Sequence, residues 1–250
     1  MSGTGFDYEC SSLSPEGRIF QIEYAEKAVE TSSTIVGVRC KDGIVLGTEK
    51  IVVNKMMVPG TDKRIYSVHP SAGCVVNGLV PDGKSLMFRA REEATQYEKM
   101  FGIRIPGNNL AERLGMRAQL NTVYASQRPY GSTLIMATHD HIKGMGLFMV
   151  EPSGSCFEYY GCASGRGKQL ARNEIEKKNF REVSVNEALP LIAKILLKSQ
   201  EEMKEKKQEI ELSIMSEETG YKHKILDRAF VDHLAAKAAE EIENEQMDMA

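Results

Sequence analysis

Apolar residues recur along this chain in two rhythms, and the order in which the rhythms alternate predicts its architecture. Ile22, Ala25 and Val29, with Ala28 beside them, return at helical spacing, while Glu23, Glu26, Lys27 and Glu30 fall largely elsewhere. The segment up to Thr31 therefore reads as an amphipathic helix that must lie on something. Ser14 and Pro15 supply its start signal, a serine to cap free amides and a proline tolerated in a first turn, and Glu16 adds charge at the positive end. The rhythm then changes. Thr34 to Cys40 and Ile44 to Glu49 are β-branched runs either side of a turn at Lys41 to Gly43, and Ile65 to Val68 and Gly73 to Leu79 form a second pair around His69 and Pro70.

Helical spacing returns with Leu86, Ala90, Ala94, Tyr97 and Phe101, predicting a helix over about Asp82 to Phe101. Asn108 or Asn109 caps the next, with Leu110, Leu114 and Ala118 on one face, and the short link between them implies an antiparallel pair. Strands follow at Thr133 to Thr138, Gly146 to Val150 and Cys156 to Tyr160. A helix runs from about Lys168 to Lys178, and another behind the capping box of Ser184 and Glu187, with Pro190 expected to bend it. Glu209 to Met215 and His223 to Leu226 read as a late strand pair before a final helix at Asp227. Strands that cluster rather than alternate with helices exclude a doubly wound parallel sheet and favour antiparallel sheets covered by helices, a layered α/β (α+β) sandwich in one domain.

Composition narrows the function. With 250 residues, 42% hydrophobic, the chain can build a sizeable core. Its 32 basic and 35 acidic residues give no global electrostatic reason to bind nucleic acid or an anionic membrane. Cys10, Cys40, Cys74, Cys156 and Cys162 are odd in number and scattered, as expected of reduced thiols in a cytosolic or nuclear compartment. The N-terminus has no secretory pattern and no apolar run approaches the roughly 20 residues of a membrane span, so a soluble intracellular protein is expected. Ser164 to Lys168 imitates a phosphate loop but has Cys162 and Gln169 where that loop needs glycine and a hydroxyl, so it reads as a strand-to-helix turn. His139 and His141 read as a surface turn, and Lys204, Lys206 and Lys207 as a solvated helix end. Glu240 to Ala250 is acidic without a basic residue, and reads as a solubilising disordered tail or a lure for a basic partner.

The opening segment carries a more specific signal. Asp7, Ser14, Pro15, Glu16, Gly17, Arg18, Gln21, Glu23, Tyr24 and Ala25 resemble, in identity and spacing, the N-terminal signature of proteasome alpha subunits. The likeness continues through Gly78, Leu79, Asp82, Arg91 and Ala94, then Arg128 to Gly131, and Gly161, Ala163 and Gly165. Within that family, Ser32 to Thr34, Arg39 to Gly43 and Gly161 to Ala163 are most similar to the seventh alpha subunit, the alpha type-3 branch. The resemblance implies an Ntn-hydrolase fold, a four-layer αββα sandwich of two antiparallel sheets, with no metal or organic cofactor. It implies a seven-membered ring with other alpha subunits, beta-ring subunits beneath it and regulatory caps above, in cytoplasm and nucleus. Residues 1–13 are expected to be a gating arm, 14–31 the helix with its cap, 32–239 the sandwich and 240–250 the tail.

The same resemblance allows the chemistry to be checked. Catalytic relatives use an N-terminal threonine with an acid and a lysine, and the matching positions are Ser33, Glu49 and Arg64. Ser33 has no free amine to act as base unless the chain is cut before it, and a guanidinium does not give up its proton at working pH. No catalytic residue is therefore expected. The gate maps to Phe6, Asp7, Tyr8, Pro15 and Tyr24, with Phe6 replacing the usual tyrosine and Tyr8 the usual arginine. A cap-docking pocket maps to Lys63, Arg64, Gly78 and Leu79.

Overall fold

The computed structural model describes residue 5 and residues 8–51, 56–58, 60–199 and 208–248. The first half contains α1 (Phe20–Glu30), β1 (Ile35–Arg39), β2 (Gly43–Ile51), β3 (Ile65–His69), β4 (Ala72–Val76), α2 (Val80–Phe101) and α3 (Gly107–Val123). The second contains β5 (Leu134–Asp140), β6 (Gly144–Val150), β7 (Cys156–Glu158), β8 (Gly161–Ser164), α4 (Lys168–Glu176), α5 (Val185–Lys198), β9 (Gln208–Ser216), β10 (Lys224–Ile225) and α6 (Arg228–Asp248). The strands form two five-stranded sheets, ordered β10-β9-β2-β1-β8 and β3-β4-β5-β6-β7, and every pairing is antiparallel.

Alternation along the strands produces the layers. Ile35 of β1 and Ile44 and Leu46 of β2 point inwards to meet Ile65, Val75, Ile135 and Leu147 of the other sheet. Their neighbours Val36, Val38 and Val45 point outwards to Leu189, Ile192 and Leu196 of α5 and to Val231 and Ala238 of α6. On the other side, Cys74, Val76, Leu134 and Met136 meet Leu86 and Ala90 of α2 and Leu110 and Leu114 of α3. The result is helices, sheet, sheet, helices. Both faces of each central strand are covered, so these strands carry nearly continuous apolar runs.

Four expectations need correction. Ser14 does not cap α1: its Oγ accepts from Arg18 N at 3.1 Å and closes a separate turn, while α1 starts at Phe20 behind Ile19, which offers no side-chain cap. Pro106, not an asparagine, precedes α3, because proline's extended backbone sets the angle of approach and Gly107 N is taken by Asp140 Oδ2 at 3.1 Å. The strand at Cys156 ends at Glu158, and a further strand, β8, follows. Its small residues Gly161 and Ala163 pair with Val38 and Val36. The acidic tail is helical through Asp248 because Val231, Leu234 and Ala238 seat α6 on the core and Glu241 reaches Lys194 of α5 at 3.8 Å.

Candidate functional site

One end of the sandwich holds the positions expected to matter. Ser33 lies between α1 and β1, inside the chain. Its carbonyl accepts from Asn77 Nδ2 at 3.4 Å, and Gly165, at φ +100°, passes so close that an added Cβ would fall 2.3 Å from that oxygen. Glu49 is 1% exposed, and both its carboxylate oxygens are engaged. Its Oε1 accepts from Thr34 N at 2.8 Å and Thr34 Oγ1 at 3.0 Å and pairs with Arg166 Nη2 at 3.2 Å, while Oε2 accepts from Ser199 Oγ at 3.4 Å. Burial pushes its pKa up against the pull of Thr34 and Arg166.

Arg64 turns away from this acid. Its Nε pairs with Asp62 Oδ1 at 3.2 Å, and its backbone N donates to Glu211 Oε2 at 3.0 Å. Lys50 lies beside Glu49 in sequence, but its ammonium is held by Glu211 Oε1 at 2.8 Å and by the Asp62 carbonyl at 3.1 Å. The arrangement joins strands and helices: Glu49 ties β1 and β2 to Arg166, just before α4, and to Ser199, at the end of α5, while Glu211 ties β9 and β2 to β3. Sequence reasoning missed Arg166, Ser199, Lys50 and Glu211, because each meets its partner only through the fold.

Asn77 is the second element of this end. Its Nδ2 also donates to Ser164 Oγ at 3.3 Å, Oδ1 accepts from Thr133 N at 3.3 Å, and its carbonyl accepts from Ser132 Oγ at 2.6 Å. One side chain thus spans both sheets. Next to it Gly78, at φ +76°, donates to Ser32 Oγ at 2.9 Å, and Leu79 N donates to the Gly131 carbonyl at 2.8 Å, leaving the Leu79 side chain exposed. Asp82 then receives Arg128 through two bonds of 2.6 and 2.9 Å and Gly131 N at 2.8 Å. Burial raises its pKa, but these donors outweigh burial and hold it below the ordinary aspartate range.

The opening segment meets the same region. The Cys10 thiol approaches the Gln127 carbonyl at 3.7 Å, next to Arg128. Arg18 clamps Glu23 through Nε at 2.7 Å and lies over the Phe20 ring, which stacks on Tyr24 with centroids 6.4 Å apart. Tyr8, Pro15 and Tyr24 are all exposed. Phe6 and Asp7 lie outside the described residues, as do Lys204, Lys206 and Lys207. Ala25 and Val29 are buried, and Glu30 pairs with Lys168 of α4 at 2.7 Å, so α1 is seated by one stripe and one ion pair. Among the weaker signals, β8 does pass to α4 through a turn at Gly165 to Gly167, whereas His139 sits in β5 and stacks on Tyr221 at 4.0 Å.

Comparison with known proteins decides the family. The Proteasome subunit family matches residues 29–215, and the N-terminal signature of A-type proteasome subunits matches residues 6–28. The chain belongs to the proteasome alpha subunits. It is 44% identical to the alpha type-3 proteasome subunit of Arabidopsis thaliana over 98% of both chains, and 44% identical to that of Spinacia oleracea over the same shares. It is also 41% identical to the probable alpha type-7 proteasome subunit of Schizosaccharomyces pombe, over 99% of this chain and 97% of that one. The boundary between the two family matches falls within α1, so this helix is where the alpha-specific segment joins the common sandwich.

Proposed function

We propose that this chain is a non-catalytic subunit of the outer alpha ring of the 20S proteasome core, serving ATP- and ubiquitin-dependent protein degradation by controlling substrate passage and docking regulatory caps. One observation carries the reading: Glu49, the position matching the catalytic acid, is enclosed by Thr34, Arg166 and Ser199 while Ser33 remains inside the chain behind the alpha signature. With no free amine and with Arg64 paired to Asp62, proton transfer has no carrier. Intact-mass measurement of the endogenous subunit should find the segment before Ser33 retained, and a mature chain starting at Ser33 would overturn the reading.

The partners are other alpha subunits in a ring of seven, beta-ring subunits and regulatory caps, in cytoplasm and nucleus. Native mass spectrometry of the endogenous complex should find the chain at the mass of a cylinder, and a stable lone monomer would contradict assembly. Exposed Tyr8, Pro15 and Tyr24, with Phe6 and Asp7, form this subunit's share of the gate. Deleting Ser2 to Ser12 should raise basal peptide hydrolysis by the assembled particle, and unchanged activity would remove the arm from gating. Exposed Lys63 with Arg64, Gly78 and Leu79 receives an activator tail. Arg64 would have to release Asp62 to do so, so Lys63→Ala should weaken tail-peptide binding more than Arg64→Ala does; the reverse order would assign the carboxylate to Arg64.

A further inference from the structure

At the opposite end of β1 from Ser33 lies a pocket of about 200 Å³ lined by Arg39, Cys40, Lys41, Met145, Tyr160 and Arg181. The Arg181 guanidinium lies 4.2 Å and that of Arg39 5.8 Å from the centroid of the same exposed Tyr160 ring. Backbone bonds hold the frame: Arg39 N donates to the Tyr160 carbonyl at 2.8 Å, and Lys41 N to the Val183 carbonyl at 3.0 Å. Three cations are thus held around one aromatic wall and an apolar floor. Burial pushes the Cys40 thiol up to about 12, so the floor stays uncharged.

The neighbouring acids are already engaged. Asp42 Oδ1 accepts from Val185 N at 2.8 Å, Glu187 closes the capping box with Ser184, and Glu182 Oε1 accepts from Asn179 Nδ2 at 2.6 Å. Glu158 pairs with Arg39 at a longer 3.4 Å, a contact that an incoming carboxylate can displace. Arg181 has no acidic partner among the described residues and is oriented only by Tyr160.

We propose that this pocket recognises an acidic peptide segment of a partner protein, one with neighbouring Asp or Glu side chains. Guanidinium groups match carboxylates through paired N–H bonds, and the apolar floor accepts the methylene stem of a glutamate. A nucleic-acid backbone fits less well. Such a backbone is tracked by basic residues spread along a face or stripe, whereas these three cations form one compact cluster on a chain of net charge −3.

The test is fluorescence anisotropy with a labelled hexaglutamate peptide and the full-length chain at low salt, with hexaglutamine and a DNA duplex as alternative probes. Hexaglutamate should bind and hexaglutamine should not, with binding weakening as salt rises. Arg181→Ala should weaken it about tenfold, a single charge-assisted contact. Arg181→Lys should weaken it less, Arg181→Glu should abolish it, and Lys41→Ala should weaken it independently of Arg181. These side chains are exposed, and circular dichroism checks that the variants fold. No hexaglutamate binding, equal binding of hexaglutamine, or binding that survives Arg181→Glu would overturn the proposal. Tighter binding of the DNA duplex, lost in the same variant, would overturn it in favour of nucleic acid. None of these results depends on ring membership.

Discussion

Glu49 and Asp82 both face an arginine at one end of the sandwich, yet burial dominates the first and pairing the second. Glu49 is 1% exposed, and Arg166 reaches it with a single bond of 3.2 Å. Asp82 is gripped at both oxygens by Arg128, at 2.6 and 2.9 Å, and takes Gly131 N as well. The first carboxyl is accordingly pushed above its ordinary range and the second held below it. Hydrogen bonds from Leu79 to Gly131 and from Asn77 to Ser33, joined by short stretches of backbone, connect the two. The difference is one of enclosure: the buried acid fastens β2 to the chain before α4 and to the end of α5, while the surface-facing pair beside it ties α2 to the loop before β5.

Breaking the enclosed member should have the larger effect. Glu49→Ala leaves Arg166 without its carboxylate and Thr34 N without an acceptor, while Ser199 Oγ keeps the Leu196 carbonyl at 2.7 Å, so a loss of about 3–5 kcal/mol is expected in urea unfolding of the full chain, the range for removing one partner of a buried pair. Asp82→Asn keeps one oxygen for Gly131 N and Arg128 Nη1 but loses the Nη2 bond together with the charge facing Arg128, whose side chain is 61% exposed. Solvent screening holds that loss to about 1 kcal/mol. If Asp82→Asn costs more than Glu49→Ala, the contrast between enclosed and open pair is wrong. Asn77→Ala lies between them, removing bonds to Ser33, Ser164 and Thr133 that are neutral, for about 1–3 kcal/mol by the same measurement.

How much of this was legible in the sequence follows from the range of each signal. The sandwich was readable because Ile35, Val36 and Val38, or Leu86 and Ala90, declare their faces within a few residues. The capping box at Ser184 and Glu187 was readable for the same reason, and it is present. Ser14 misled because a serine before proline serves a free-standing turn as well as a helix. β8 was missed because Gly161 and Ala163 carry little β-propensity and pair only by virtue of Val38 and Val36, more than a hundred positions earlier. Glu49 was found through its family match, but Ser199, 150 positions away, and Arg166, 117 away, announce nothing locally. Asn77 is the same case. Of the residues that the resemblance maps to the gate, Tyr8, Pro15 and Tyr24 are exposed in the structure.

The smallest effect distinguishes the two acids by sign. For Glu49, whose native pKa is raised, the folded chain keeps a proton that the unfolded chain has released; lowering the pH through that native value therefore adds stability, until the ordinary glutamate range near pH ~4.3 is passed. For Asp82, whose native pKa is depressed, the contribution is complete above the ordinary aspartate range near pH ~3.9 and is lost as pH falls through the native value. Urea midpoints of the wild-type chain, Glu49→Gln and Asp82→Asn between about pH 3 and 7 separate the two. The wild type should gain on Glu49→Gln as the solution is acidified from neutrality, and should lose ground to Asp82→Asn only at the acid end. Two curves of the same sign would mean that Arg166 holds Glu49 ionised as Arg128 holds Asp82, and that burial does not govern the enclosed site.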